Sequence, residues 1–338
     1  MISVIVPVYN GERFIEKALN SVLCQTYADF EIIVVNDGSC DSAGVICKRL
    51  ASSDHRIRYF QKENTGVSDT RNFALSQMKG EYFFFLDADD LLPDYALKCM
   101  VREIKREDCD AVFGNHAYSY GGKLLPRIPR IASGSYSWDD LKGRFLDDGT
   151  LTGILFGSGC GVLYSGRIIR KYGLKFHRDM RVNEDGFFNL EFLRHSSKIR
   201  VMAQPYVYIY NQWKNSAGRK PLEADARFDS SERVFEEYFD KNGLKDEFAA
   251  QMACRKVSVA FWNSIRIRDA QTSLVQSRRY LKDLFNGSGV QEGLRGMDYE
   301  HMSRYKRGIC FLMRHRLYVA FYFLIRYAYP AAEKVIKR

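Results

Sequence analysis

Asp87 and Asp89 flank a single alanine directly after the strongly apolar run Tyr82-Phe83-Phe84-Phe85-Leu86. Carboxylate oxygens are hard ligands suited to Mg2+ or Mn2+, and two on one loop can share a cation while leaving positions for phosphate oxygens and water. An Asp-x-Asp by itself also reads as a solvated loop capping the helix that Pro93 begins. Two further apolar runs end in polar groups. Ile2-Ser3-Val4-Ile5-Val6 leads into Pro7-Val8-Tyr9-Asn10-Gly11, and Glu31-Ile32-Ile33-Val34-Val35 leads into Asn36-Asp37-Gly38-Ser39. Each alone is ordinary turn or cap chemistry; three on one sheet edge favour a site. Farther along, Asn183-Glu184-Asp185 opens an apolar helix running through Phe187, Phe188 and Leu193. Two acids there either complement the helix dipole or supply a general base.

The elements that must position these groups alternate through the first hundred residues. Strands are predicted at Ile2–Val6, Glu31–Val35, Ile57–Phe60, Tyr82–Leu86 and Ala111–Phe113, with helices at Glu12–Gln25, Asp41–Ala51, Ser68–Met78 and Pro93–Arg106. The strands are continuous apolar runs, the pattern of a parallel sheet covered on both faces. Ligands of such sheets bind beyond the carboxyl ends of the strands, where the polar residues fall. The middle of the chain, about 118–211, is less regular, with short strands expected at Gly161–Tyr164 and Tyr206–Tyr210. From Leu222 onward it reads as mostly helical, with a break at Asn286-Gly287-Ser288-Gly289. The fold class is therefore α/β, with a mainly helical C-terminal region. The expected division is a first domain over 1–220, with halves at 1–115 and 116–220, and a helical region over 221–338.

The 338 residues, 46% hydrophobic, 27% charged and 14% aromatic, exclude a disordered or low-complexity chain and suffice for a core without disulfides. Eight irregularly spaced cysteines without a C-x-x-C are expected as free buried thiols in a reducing compartment. No G-x-G-x-x-G follows the first strand and no G-x-x-x-x-G-K-[ST] occurs, which sets aside the two common glycine-rich phosphate cradles. The six histidines lack an H-x-x-x-H pair, so zinc is not expected. No signal peptide is recognised, and the longest apolar run, Leu317–Ile325, is far short of a bilayer span. The net charge of +10 is uneven: residues 303–338 hold nine basic residues against Glu333 alone. A nucleic-acid groove spread over the whole molecule is therefore disfavoured. The mixture of Phe311, Leu312, Phe321, Phe323 and Tyr327 with Arg314, Arg316 and Arg326 reads either as a peripheral contact with an anionic membrane or as a terminal helix docked on the protein.

Five segments in order carry a specific resemblance: Val4-Ile5-Val6-Pro7-Val8-Tyr9-Asn10, Ser21-Val22-Leu23-Cys24-Gln25-Thr26-Tyr27, Val35-Asn36-Asp37-Gly38-Ser39-Cys40-Asp41, Asn64-Thr65-Gly66-Val67-Ser68-Asp69-Thr70-Arg71-Asn72, and Leu86-Asp87-Ala88-Asp89-Asp90. Together they resemble the inverting nucleotide-sugar glycosyltransferases of family 2, with the GT-A fold. The resemblance weakens after about residue 115, resumes at Asn183–Phe188 and does not cover the chain beyond about 222. Thr70 stands where the family usually has Ala.

The resemblance implies that Pro7, Tyr9 and Asn10 line a nucleoside pocket and that Asp37 accepts a hydrogen bond from the base, as the N3–H of uracil would offer. It implies that Gly66 lets the backbone approach the nucleotide and that Arg71 contacts base or phosphates. Asp87 and Ala88 would meet the ribose, Asp87 and Asp89 would hold Mn2+ or Mg2+, and Asp185 would be the base, with Glu184 orienting it or holding an acceptor hydroxyl. The implied reaction moves one hexose or N-acetylhexosamine, with inversion, from a nucleotide-diphospho sugar (UDP foremost) to a glycan or lipid-linked glycan in cell-surface polysaccharide synthesis. Within the domain over 1–220 the resemblance implies a nucleotide-sugar half (1–115) and an acceptor half (116–220). The expected location, read from the thiols and the basic tail rather than from the resemblance, is the cytoplasm, with peripheral contact at the cytoplasmic face of the membrane. Gln212-Trp213 lacks the Gln-x-x-Arg-Trp spacing of processive members, and Trp213 reads as an acceptor-sugar contact or as a plain loop tryptophan. The rival readings are an inactive nucleotide-sugar-binding scaffold and a sugar nucleotidyltransferase; the latter's glycine-rich N-terminal loop with arginine is missing here.

Overall fold

The structure, a computed structural model, describes residues 1–212, 224–268, 273–287 and 289–328. The chain divides into two compact units. The first comprises Met1–Asp140, Ser158–Arg178 and Asn183–Lys214. It opens as β1 (Ile2–Val8), α1 (Ile15–Leu23), β2 (Phe30–Asp37), α2 (Ala43–Ser53), β3 (Ile57–Lys62), α3 (Val67–Gln77), β4 (Tyr82–Phe85) and α4 (Ala96–Glu107). It continues with β5 (Ala111–Tyr120), β6 (Lys123–Pro126), β7 (Gly134–Tyr136), a single turn α5 (Trp138–Leu141), β8 (Val162–Ser165), α6 (Gly166–Tyr172), α7 (Glu184–Arg194) and β9 (Ile199–Asn211). The nine strands form one sheet in the order β3-β2-β1-β4-β8-β5-β9-β7, with β6 beside β5.

The first four strands are parallel to one another: β1 pairs with β2 from Ile2↔Phe30 to Val8↔Asn36 and with β4 from Ile2↔Tyr82 to Ile5↔Phe85, and β2 pairs with β3. Parallel pairing brings their carboxyl ends to one edge. The continuous apolar runs of β1, β2 and β4 reflect two buried faces. Ile2, Val4, Val6 and Val8 of β1 and Phe84 of β4 pack with Leu19 of α1, Cys47 of α2 and Met100 of α4. Phe83 and Phe85 point the other way, where Phe83 stacks on Tyr164 at 4.8 Å and Phe85 meets Phe176 and Phe188 edge-on.

The second half of the sheet is mixed. β8 lies antiparallel between β4 and β5, and β9 runs parallel to β5. The strand predicted at Ala111–Phe113 is thus separated from β4 by β8 and extends to Tyr120. The short strand expected at Tyr206–Tyr210 is the end of the thirteen-residue β9.

The second unit comprises Leu141–Gly157, Asp179–Val182 and Asn215–Arg338. Its helices are α8 (Ala224–Lys241), α9 (Lys245–Ser264), α10 (Leu274–Phe285), α11 (Val290–Gly293), α12 (Arg304–Arg314) and α13 (Tyr318–Phe323). Val257 and Phe261 of α9, Leu281 and Phe285 of α10, and Ile309 and Met313 of α12 share one core with Leu151. Residues 141–157, which the sequence reading assigns to 1–220, are tied here by Gln251, which donates to the Lys142 carbonyl at 2.7 Å and accepts from the Leu146 amide at 3.0 Å. The break expected at 286–289 separates α10 from α11.

All eight cysteines are free. Cys47, Cys109, Cys254 and Cys310 are buried, but Cys24 and Cys40 are exposed, unlike the buried thiols expected for this chain. Among the described residues no helix is long and apolar enough to cross a membrane.

Candidate active site

The loops after β1 and β2 are bound to each other. Asn10 has a left-handed backbone (φ 50°). Its amide donates to Ser39 Oγ at 3.0 Å and its Oδ1 accepts from the Cys40 amide at 2.9 Å. Asn36 Oδ1 accepts from the Ser39 amide at 2.9 Å, closing the turn, and its Nδ2 donates to Tyr59 Oη at 3.1 Å. Asn10 thus ties the two loops together while remaining exposed at the rim. Tyr9 stands beside it with its side chain 54% exposed, and Pro7 is half-buried on β1.

Asp37, buried at the end of β2, accepts from the Thr65 amide and the Gly66 amide at 3.0 Å each and from Lys62 Nζ. A carboxylate has about four acceptor positions, so three donors leave room for one more. Gly66, the residue before α3, has φ 96° and no atom within 4 Å of where a Cβ would stand. Its conformation requires glycine, and the space beside it is open.

α3 carries Arg71 into the molecule. Ser68, Arg71, Ala74 and Leu75 lie at helical spacing on its buried face, and Arg71 is only 4% exposed. Its guanidinium donates to Asp185 Oδ1 at 2.7 Å, Glu184 Oε1 at 3.2 Å and Asp87 Oδ1 at 3.2 Å. It lies 5.7 Å from the Phe85 ring centre and 5.2 Å from that of Phe176. Among the described residues its Nε has no hydrogen-bond partner. Where the sequence reading gives Arg71 the base or the phosphates, its charged end here gathers carboxylates from the end of β4 and the start of α7.

Asp185 Oδ2 also accepts from the Gly159 amide at 2.9 Å. Burial raises the affinity of Asp185 for a proton, opposed by Arg71 and the Gly159 amide. Burial and the charge of Asp185 push Glu184 up to about 6. The Cys160 thiol is likewise pushed well up, by burial and by Asp87 and Asp185, and stays neutral. The acids opening α7 thus do more than complement a helix dipole.

Asp87 and Asp89 sit on the loop after β4. Burial, then the charge of Asp87, raises the proton affinity of Asp89. Two neighbouring carboxylates, one driven toward its neutral form, suit a hard divalent cation. Among the described residues no three His, Cys, Asp or Glu side chains converge to hold an ion by themselves, so such a cation would be shared with phosphate oxygens and water. The loop is held by residues that sequence reasoning missed. Asp90, fully buried, accepts from Tyr208 Oη and from the Asn211 amide at 2.8 Å each, and Asn211 Nδ2 donates to the Asp89 carbonyl at 2.7 Å. Tyr208 Oη also accepts from the Asp87 amide at 3.2 Å. Burial and Asp87 push Asp90 up to about 8. Its place inside the Asp87–Asp90 motif was the only signal, since β9 lies over a hundred residues away. Trp213 lies outside the described residues.

The family description "Glycosyl transferase family 2" matches residues 3–173, half the chain, including β1 to β4 and the Asp87–Asp89 loop. The chain belongs to glycosyl transferase family 2. It is 34% identical over 223 residues to glycosyltransferase GlyA of Streptococcus pneumoniae, covering 64% of this chain but only 31% of that relative. It is structurally similar to S. aureus TarS 1-349 in complex with UDP-GlcNAc, with TM-score 0.66, 17% identity, and coverage of 98% of this chain and 92% of that one. The mannosyltransferase PcManGT from Pyrobaculum calidifontis, in complex with GDP-Man and Mn2+, superposes with TM-score 0.51 and 17% identity over 94% and 85% of the two chains. At those identities the two structures speak for the fold.

Proposed function

We propose that this family 2 glycosyltransferase moves a single hexose or N-acetylhexosamine from a nucleoside diphospho-sugar to a hydroxyl of a glycan acceptor, inverting the anomeric centre. The observation that carries the reading is the gathering by Arg71 of Asp87, Glu184 and Asp185, acids from sequence positions a hundred apart, beside the strand-end loops of Asn10, Asp37 and Gly66. The donor would lie along those loops, with Tyr9 against the base, the remaining acceptor position of Asp37 available to an N–H of the base, and Gly66 allowing close backbone approach. An N–H donor suits uracil, and the UDP-GlcNAc bound by the S. aureus neighbour agrees with a UDP-sugar.

Asp87 and Asp89 would hold Mn2+ or Mg2+, as the Mn2+ complex of the P. calidifontis neighbour suggests. Such an ion supplies charge stabilisation for the departing diphosphate. Asp185 takes the proton of the acceptor hydroxyl as the new C–O bond forms and the bond to the diphosphate breaks. A base whose pKa burial moves toward the working pH suits that task. One displacement gives a β-linked product from an α-linked donor and needs no covalent intermediate. Glu184 would orient Asp185 or hold the acceptor, which would be a glycan or lipid-linked glycan of the cell surface.

The test is release of nucleoside diphosphate from UDP-, GDP- and dTDP-hexoses in the presence of Mn2+. UDP-sugar turnover that Asp185→Asn removes supports the reading. Tight UDP binding with no turnover of any donor, and no transfer to added glycans, overturns it in favour of an inactive binding scaffold.

A further inference from the structure

The C-terminal part of the second unit carries an exposed apolar surface that includes none of the residues assigned to sugar transfer above. The inner sides of α12 and α13 are apolar and buried: Ile309, Cys310 and Met313 on the first, Phe321 and Tyr322 on the second, then Ile325. A helix pair docked on a protein core ordinarily turns a mainly polar side outward. Here exposed Arg304, Arg307, Arg314 and Arg316 alternate with large exposed apolar side chains. Phe311, Leu317, Val319, Phe323 and Tyr327 are 54%, 43%, 43%, 49% and 67% exposed. They are five of the seventeen exposed large hydrophobic residues among those described, and they fall within seventeen consecutive positions. Phe311 and His315 lie with ring centres 4.4 Å apart, and Phe323 stacks on Tyr327 at 6.0 Å. Positions 311, 315, 319, 323 and 327 recur every four residues, interrupted by the left-handed Arg316 (φ 56°) between the helices.

Within this segment the charge has one sign. Residues 303–328 contain Arg304, Lys306, Arg307, Arg314, Arg316 and Arg326 and no Asp or Glu. Arg307, Arg314 and Arg316 are exposed. Clustered exposed apolar side chains mark an interaction site, and the fixed positive charge selects an anionic one.

We propose that the outer side of α12–α13 docks on an anionic lipid bilayer. Aromatic and aliphatic side chains enter the headgroup and upper acyl region while arginines meet lipid phosphates, the two-part attraction that a peripheral segment needs. Aromatics with arginine could also suit a nucleic acid by stacking. Leu317 and Val319, lying between the aromatics, have no part in stacking but gain from hydrocarbon. The proposal stands independently of the sugar-transfer reading, because its readout is partition and not turnover.

The experiment is flotation of the full chain with vesicles of phosphatidylcholine alone and of phosphatidylcholine mixed with phosphatidylglycerol, at low and high salt. Flotation is expected only with the anionic vesicles and should weaken as salt rises. Replacing Arg307, Arg314 and Arg316 by Gln should lower partition about 100-fold, since each basic residue near an anionic surface contributes roughly fivefold. Phe311→Ser with Phe323→Ser should lower it with the charge intact; both sites are solvent-exposed, and an unchanged melting temperature shows that the variants fold. Absence of flotation by the unaltered chain overturns the proposal. So does flotation insensitive to both salt and lipid charge, and so does binding to a DNA duplex without flotation, which would assign the surface to nucleic acid.

Discussion

Arg71→Met should reveal how much the acid cluster depends on one buried cation. The substitution keeps an unbranched side chain of similar reach but leaves Asp185, Glu184 and Asp87 without their shared donor. Asp185 and Glu184 are mostly buried and Asp87 is about a third exposed. Removing one partner of a buried ion pair costs about 3–5 kcal/mol, and the exposed Asp87 end contributes least to that. At about 2–4 °C per kcal/mol, the melting temperature should fall by roughly 10 °C near pH 8. The loss depends on pH in a defined direction. Burial holds Asp185 and Glu184 above their ordinary range even with Arg71 present, Glu184 at about 6. A group raised on folding contributes stability that is fully present below its unfolded pKa, about 4 here, and lost as pH rises through its folded value. Without Arg71 both values rise further, so at pH 5 the acids take up protons and the gap to wild type narrows. Thermal melts of both proteins at pH 5 and pH 8 measure this. A deficit equal at the two pH values, or below ~1 kcal/mol, would refute the placement of Arg71 as the compensating charge. Arg71→Lys keeps the charge on a single ammonium that cannot span three carboxylates, and should recover part of the stability while leaving turnover low.

Three further variants test the same geometry. Asp185→Asn should lower kcat about 10²–10⁴-fold, the usual worth of a general base, with UDP binding by calorimetry unchanged. Asp90→Ala removes the acceptor for Tyr208 Oη and the Asn211 amide and should cost about 1–3 kcal/mol in thermal melts while weakening Mn2+-dependent UDP binding. Asp90→Asn, whose parent carboxyl is pushed up to about 8 and so carries a proton near neutrality, should retain most of both.

Strands β1, β2 and β4 were legible because each is buried on both faces, so Val4 and Ile5, or Phe84 and Phe85, are apolar alike while serving opposite sides of the sheet. The place of β8 was not. Val162–Ser165 is four residues long and pairs with Tyr82–Phe84, some eighty residues earlier, and no local pattern encodes such an antiparallel insertion. In the site, Asp37, Asp87, Asp89 and Asp185 stand out as polar residues against apolar elements. The engagement of Arg71 by three acids did not, since two of its partners lie more than a hundred residues away. One local hint existed: Arg71 shares the buried face of α3 with Ser68, Ala74 and Leu75, where an arginine needs compensating charge. The anchoring of the Asp87–Asp90 loop by Tyr208 and Asn211 had no such hint, because alternation along β9 shows only that these residues lie on a strand.

The central claim is that the strand-end edge binds a nucleoside diphosphate through a cation held by Asp87 and Asp89. Calorimetric titration of UDP into wild type and Asp89→Ala, with and without Mn2+, tests it most directly. Binding that requires both Mn2+ and Asp89, and that exceeds the binding of GDP and dTDP, is the predicted result. UDP binding of equal strength without Mn2+ or in Asp89→Ala would contradict it.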